Sequence, residues 1–262
     1  MIPLGIFAWF GTPVPFQERV KMIKDAGFDA TSVWWEEDDD ERRRLRHLAP
    51  RLVRGAGLAL DNIHVPYRGC SALWSHTLEV RRAAVNRHIS WVRDCAEHTV
   101  PVMVMHVTGG TAASGANPHG IDSLRRILEV AEDLGVTVGL ENTRGPERVG
   151  VLLDALDSPF LGLCYDVSHD WLWHDSPCEL LRTWGRRLVA AHIGDTDGVL
   201  DRHWVPGEGA IDFARPARTF DWETFRGTLM FEVVPRDKAE NPARFLSRAY
   251  TAAQGVRRLF QG

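Results

Sequence analysis

The chain has 262 residues, 44% of them hydrophobic, and a formal net charge of −4; this is an ordinary globular balance, at a length that suits one α/β barrel of about 250 residues. No apolar stretch approaches the roughly 20 residues that span a bilayer, and the start, Met-Ile-Pro-Leu-Gly-Ile-Phe, lacks the basic region of a secretory leader, so a cytoplasmic location is expected. Lysine occurs at 21, 24 and 238 alone, so overall charge gives no push toward nucleic acid; Cys70, Cys95, Cys164 and Cys178 form no CxxC pair and read as free, mostly buried thiols.

In chain order, apolar runs at 3–9, 29–35, 58–64, 101–106, 136–141, 160–166, 188–193 and 228–234 read as buried strands. Helical patterns separate them. Residues 15–26 group Val20 and Ile23 and stop at Gly27. Residues 38–56 open with Asp38-Asp39-Asp40-Glu41 and turn basic at Arg42–Arg46, complementing a helix dipole and placing the charge run on a solvated outer wall, away from any mouth. Residues 75–98 space Val80, Ala84, Ile89 and Val92 as an amphipathic helix; 120–134 repeats Ile121, Leu124, Leu128 and Ala131 and stops at Gly135. Segments 147–157, 176–186 and 239–259 behave alike, whereas 211–226 shows no clear period. Eight β–α units predict a single (β/α)8 barrel over residues 1–262. An open doubly wound sheet would carry a Gly-rich phosphate turn after its first strand, and Ala8-Trp9-Phe10-Gly11-Thr12-Pro13 is not one.

Six consecutive strand runs end in a residue able to bind a metal: His64, His106, Glu141, Asp166, His192 and Glu232. His169, Asp201 and His203 follow close behind two of these ends. A single such histidine reads as a hydrogen-bonded core residue. The joint pattern reads as a metal centre, because parallel barrel strands gather their C-terminal ends at one mouth, and imidazole with carboxylate suits Zn, Mn, Fe or Co. Asp201-Arg202-His203 puts two candidates on one side of an extended segment, and the rigid turn Pro206-Gly207-Glu208-Gly209 follows. Glu141 and Glu232, on strands separated by two others, can face each other across a bound metal. Such a pair could take and return a proton beside a sugar carbonyl; two or three metals could instead activate water against a phosphodiester. The ligand set permits both. Trp9, Trp34, Trp35, Trp171, Trp173 and Trp204 fall at or past strand ends, where aromatic walls suit sugar rings, stacked bases or plain packing. Arg144, Arg202 and Arg236 are the arginines nearest the expected mouth.

Four blocks resemble the xylose isomerase-like barrels, a superfamily of sugar isomerases and epimerases, related dehydratases and endonuclease IV. They are Leu140-Glu141-Asn142-Thr143, Tyr165-Asp166-Val167-Ser168-His169, His192-Ile193-Gly194-Asp195 and the stretch from Asp201 to Asp212. The resemblance covers nearly the whole chain. From the epimerase branch it implies one divalent ion (Zn, Mn, Co or Mg) on Glu141, Asp166, His192 and Glu232. It also implies acid/base roles for Glu141 and Glu232, and contacts from Glu147 and His169 to substrate hydroxyls. This sequence departs from that branch at His203, where those ketose epimerases carry an arginine. From endonuclease IV it implies up to three zinc ions on His64, His106, Glu141, Asp166, His169, His192, Asp201, His203 and Glu232, with Tyr67 at the loop position that approaches DNA.

The reading favoured by length, acidic balance and aromatic strand ends is a metal-dependent sugar, sugar phosphate or polyol isomerase or epimerase acting on a small carbohydrate, with Trp9, Tyr67, Glu147, His169 and Arg202 as candidate substrate contacts. An endonuclease IV-like zinc phosphodiesterase is the alternative, disfavoured because phosphate backbones draw clustered basic residues. A non-enzymatic metal or sugar binder is the third reading. Membrane association is not expected; relatives of this kind often pair, so a homo-oligomer is an open expectation.

Overall fold

A computed structural model describes residues 1–36, 40–109 and 115–262, and of residues 40–43 the backbone alone. The side chains of the run Asp38-Asp39-Asp40-Glu41, and those of Arg42 and Arg43, therefore lie outside the described residues. Strands β1 (Leu4–Phe7), β2 (Ala30–Trp34), β3 (Ala59–His64), β4 (Val102–His106), β5 (Thr137–Glu141), β6 (Leu161–Asp166), β7 (Leu188–Ile193) and β8 (Leu229–Phe231) pair in sequence order, all parallel, and β8 closes on β1. This is a single (β/α)8 barrel.

The outer ring comprises α1 (Phe16–Asp25), α2 (Asp40–Gly55), α3 (Leu78–Glu97), α4 (Pro118–Leu134), α5 (Glu147–Ala155), α6 (Val167–Trp173), α7 (Glu179–Trp184), α8 (Ala214–Thr219) and α9 (Pro242–Phe260). Among the described residues no helix is long and apolar enough to cross a membrane. Two departures from the sequence reading are local. The segment without clear period resolves into the six-residue α8 and a 3-10 turn at Trp222–Thr224. The short α6 starts directly at the end of β6, nucleated by Asp166, whose carboxylate accepts the His169 N–H at 2.7 Å.

Alternation along each strand sorts side chains into two sets. Outward residues such as Ile63, Met103, Met105, Leu140, Leu163, Ala191 and Phe231 join the main apolar core beneath the helices. Inward residues form smaller layers, Phe7, Ala30 and Met230 in one and Val104, Cys164 and Ala190 in another. Two residues further along the same faces stand His64, His106, Glu141, Asp166, His192 and Glu232. Period two therefore aims all six into the mouth. All four cysteines are free and buried.

His88 of α3 supplies a stability test away from the mouth. Its Nδ1 donates to the Ala84 carbonyl at 2.8 Å, while Nε2 is buried without a partner. Protonating Nε2 would put a charge into dry packing against Trp91, and burial pushes this imidazole down to about 4. A histidine depressed from about 6.5 leaves the native state short of a proton that the unfolded chain binds, so stability falls as pH drops from about 6.5 to 4, by about 3 kcal/mol. His88→Leu is expected to flatten that part of the acid limb in denaturant unfolding series; identical pH slopes for variant and wild type would contradict this account.

Candidate metal centre

Glu141, at the end of β5, anchors the centre. Its Oε2 accepts from His64 Nε2 at 2.7 Å and His106 Nε2 at 3.0 Å. Its Oε1 lies 3.0 Å from His169 Nδ1 and 3.5 Å from His192 Nδ1. That His169 nitrogen is engaged with the Asn142 carbonyl at 3.0 Å, and Oε1 is left buried with no hydrogen-bond partner. His192 Nδ1 lies 3.3 Å from Glu232 Oε2 and 4.0 Å from Asp166 Oδ2. Glu141, Asp166, His192 and Glu232 each offer a ligand atom within 4.8 Å of the others.

Three atoms of this group, Glu141 Oε1, His192 Nδ1 and Glu232 Oε2, are buried and lack any hydrogen-bond partner. Orphaned polar atoms of that kind are costly unless something meets them. Three carboxylates and one imidazole around a common space suit a divalent cation with oxygen and nitrogen preference. The residues fit such an ion. Supporting groups fix the candidate ligands: Asn142 donates to the Asp166 carbonyl at 2.9 Å and accepts the Asp166 N–H at 2.7 Å. Cys164 Sγ sits 3.6 Å from the far nitrogen of His192, behind the ligand set.

The remaining candidates continue the network. Asp201 Oδ2 bridges His169 Nε2 at 3.1 Å and His203 Nε2 at 3.2 Å. His203 sits at φ 51°, a left-handed conformation uncommon outside glycine, which brings its Nδ1 within 3.2 Å of the Glu232 carbonyl. All nine sequence candidates thus meet in one connected cluster. Electrostatics reflect crowded opposite charges. Burial opposes charge on Glu141, yet His106 and His192 hold it well below the usual carboxylate range. Burial, with Glu141 and Glu232 nearby, pushes Asp166 up to about 6 despite His169. Burial alone would lower His203, but Glu232 and Asp201 raise it to about 9. Burial depresses His64 despite Glu141.

A cleft of about 630 Å³ opens onto Glu232 and His203. Trp9, Trp34 and Tyr67 are among its walls, with Tyr67 stacked on His106 at 5.5 Å. Of the other candidate substrate contacts, His169 is buried against Trp173 at 4.6 Å. Glu147 is exposed on the first turn of α5, and Arg202 pairs with Asp197 at 2.7 Å; neither is among the residues lining the cleft. Sequence reading missed Arg19, Arg68 and Arg87, which do line it, and expected the whole Arg42–Arg46 cluster to face away. Arg46 is a correction: it lines the cleft, lies over the Trp35 ring and sits 3.9 Å from Asp94. The missed signal was available, since Arg19 follows three residues after Phe16 at helical spacing.

Comparison with known proteins agrees with this architecture. A family model described as xylose isomerase-like TIM barrel matches residues 20–253. A D-psicose 3-epimerase from Clostridium cellulolyticum H10 superposes with a TM-score of 0.79 at 17% identity, over 100% of both chains. The apo 3-keto-D-glucoside 4-epimerase from E. coli gives 0.77 at 19% identity, over 97% of this chain and 100% of that one. At these identities the likeness shows the fold. A curated relative, the uncharacterized protein y4fM of Sinorhizobium fredii, is 28% identical over 131 residues, which is 50% of this chain and 41% of the relative's length.

Proposed function

This chain belongs to the xylose isomerase-like TIM barrel family, and on that premise we propose that it is a metal-dependent sugar isomerase or epimerase moving a proton at a carbon next to a carbonyl. The observation that carries the reading is the convergence of three orphaned candidate ligand atoms, on Glu141, His192 and Glu232, of which Glu232 opens onto an aromatic-walled cleft. When bound, a divalent cation would supply Lewis acidity toward the substrate's carbonyl and neighbouring hydroxyl oxygens.

The chain's own groups divide the rest of the work. Glu232 reaches the cleft and is the base that meets the substrate C–H. Glu141 lies deeper and is ionised at rest beside its histidines; it delivers to the opposite face a proton drawn from the His169 imidazole 3.0 Å from its Oε1, leaving Glu232 protonated and His169 neutral until solvent resets both. Asp166 is tied by its other oxygen to the start of α6 and holds its place as a ligand. Asp201 and His203 brace the Glu232 side. Trp9, Trp34 and Tyr67 offer faces on which a sugar ring can rest while bulk water is excluded.

Elemental analysis of protein purified without added metal, followed by deuterium exchange of a ketose panel in D2O, tests the reading. We expect one Mn, Co, Mg or Zn per chain, loss of turnover on chelation, its return on adding the ion, and solvent deuterium at a carbon beside the carbonyl. Three zinc ions per chain with cleavage of abasic-site DNA would replace this reading by the phosphodiesterase one. No metal uptake from any of these ions would overturn both.

A further inference from the structure

The cleft that ends at Glu232 has a basic wall for which metal and proton transfer have no use. Arg19 of α1 is only 8% exposed, yet its Nε is buried without a hydrogen-bond partner. Among the described residues no carboxylate lies within ion-pairing distance of its guanidinium, which instead rests over Trp9 at 5.0 Å and Phe16 at 5.6 Å. An unpaired, largely desolvated cation is costly to keep, and burial pushes this one down to about 10. Two further arginines, Arg68 after β3 and Arg87 on α3, are exposed and line the same cleft. Two neighbours already have partners: Arg46 pairs with Asp94, and Glu36 is also engaged.

We propose that Arg19, with Arg68 and Arg87, binds an anionic group at the end of the substrate remote from the reacting carbon, so that the substrate is a sugar bearing a terminal phosphate ester or carboxylate. The guanidinium fork matches either oxyanion and stays charged at every working pH. The contact of the Arg19 guanidinium with the Trp9 ring, at 5.0 Å, steadies the cation within the cleft wall. The inference rests on the sugar reading above for which molecule carries the anion; the basic wall itself stands on the geometry alone.

Fructose, fructose 6-phosphate and fructuronate differ at C6 alone and serve as probes. Calorimetric titration of the metal-loaded protein is expected to show one of the two anionic sugars binding about tenfold or more tighter than fructose; which of the two gains distinguishes phosphate from carboxylate. In Arg19→Met that ratio should fall toward one, and Arg19→Lys should recover part of it. Arg68→Gln, at an exposed position, should lower the ratio without touching the fold. Equal affinities for all three sugars, or an unchanged ratio in both Arg19→Met and Arg68→Gln, would overturn the proposal. Deuterium exchange on the same samples separates the two claims: an anion preference without exchange into any sugar leaves the basic site standing and removes the isomerase reading.

Discussion

Replacing Glu232 by glutamine is expected to reduce turnover by about 10²-fold to 10⁴-fold, the contribution of a positioned acid–base group, and to lower metal occupancy in the same preparation. Glutamine keeps the shape but removes the negative charge and the basic oxygen. Glu232 Oε2 is one of the three orphaned ligand atoms, and it lies 3.3 Å from His192 Nδ1, so a neutral amide there weakens the ligand set as well as the base. Turnover and metal content measured together separate the two roles. If Glu232→Gln binds the ion normally but is inactive, Glu232 acts as base alone; full activity would remove it from both roles. Glu141→Gln should differ, because Glu141 also accepts from His64 and His106. Its amide would confront two imidazole nitrogens, so a loss of fold stability accompanies the loss of activity.

Asp195→Ala should have the largest effect on stability. The Asp195 carboxylate is fully buried and accepts four backbone N–H groups: Thr196 at 2.8 Å, Gly207 at 2.8 Å, Gly209 at 2.9 Å and Ile211 at 3.2 Å. It folds the Pro206-Gly207-Glu208-Gly209 turn back onto the end of β7. The segment between carries Asp201 and His203. Asp195 also exchanges both backbone hydrogen bonds with Trp204. Removing the carboxylate strands several donors, at about 3–5 kcal/mol, and releases the excursion that holds His203 in its left-handed conformation. Chemical denaturation should register the loss, and metal affinity should fall with it. A change under about 1 kcal/mol would mean that the turn is held by other contacts. Gly209→Ala provides an independent check, because a Cβ at Gly209 would overlap the Asp195 carboxylate and the Thr196 carbonyl.

The eight strands, their order and the ring of candidate ligands are legible in the amino-acid sequence, because they follow from short-range regularities. Apolar runs of strand length ending in His, Asp or Glu specify both the element and the direction in which its last side chain points, since alternation has a period of two residues. Parallel strands closed into a barrel then bring those ends together. Helix boundaries are legible where a glycine such as Gly135, at φ 69°, stops the helix. They are less so where a helix is as short as α6, which starts directly at the end of a strand on the cap that Asp166 makes to the His169 N–H.

Other features arise only when distant segments meet. The strand-end pattern by itself weighs the nine candidates alike and the family resemblance offers both a set of four and a set of nine; distance separates Glu141, Asp166, His192 and Glu232, with three orphaned atoms among them, from the bracing pair Asp201 and His203. The cleft's basic wall draws Arg19, Arg68 and Arg87 from three separate elements, while Arg202, beside two ligand candidates in sequence, is bound to Asp197. The physical reason is that hydrogen bonding and charge pairing depend on which groups meet across the fold. Chain spacing records the local direction of a side chain and leaves its long-range partner open.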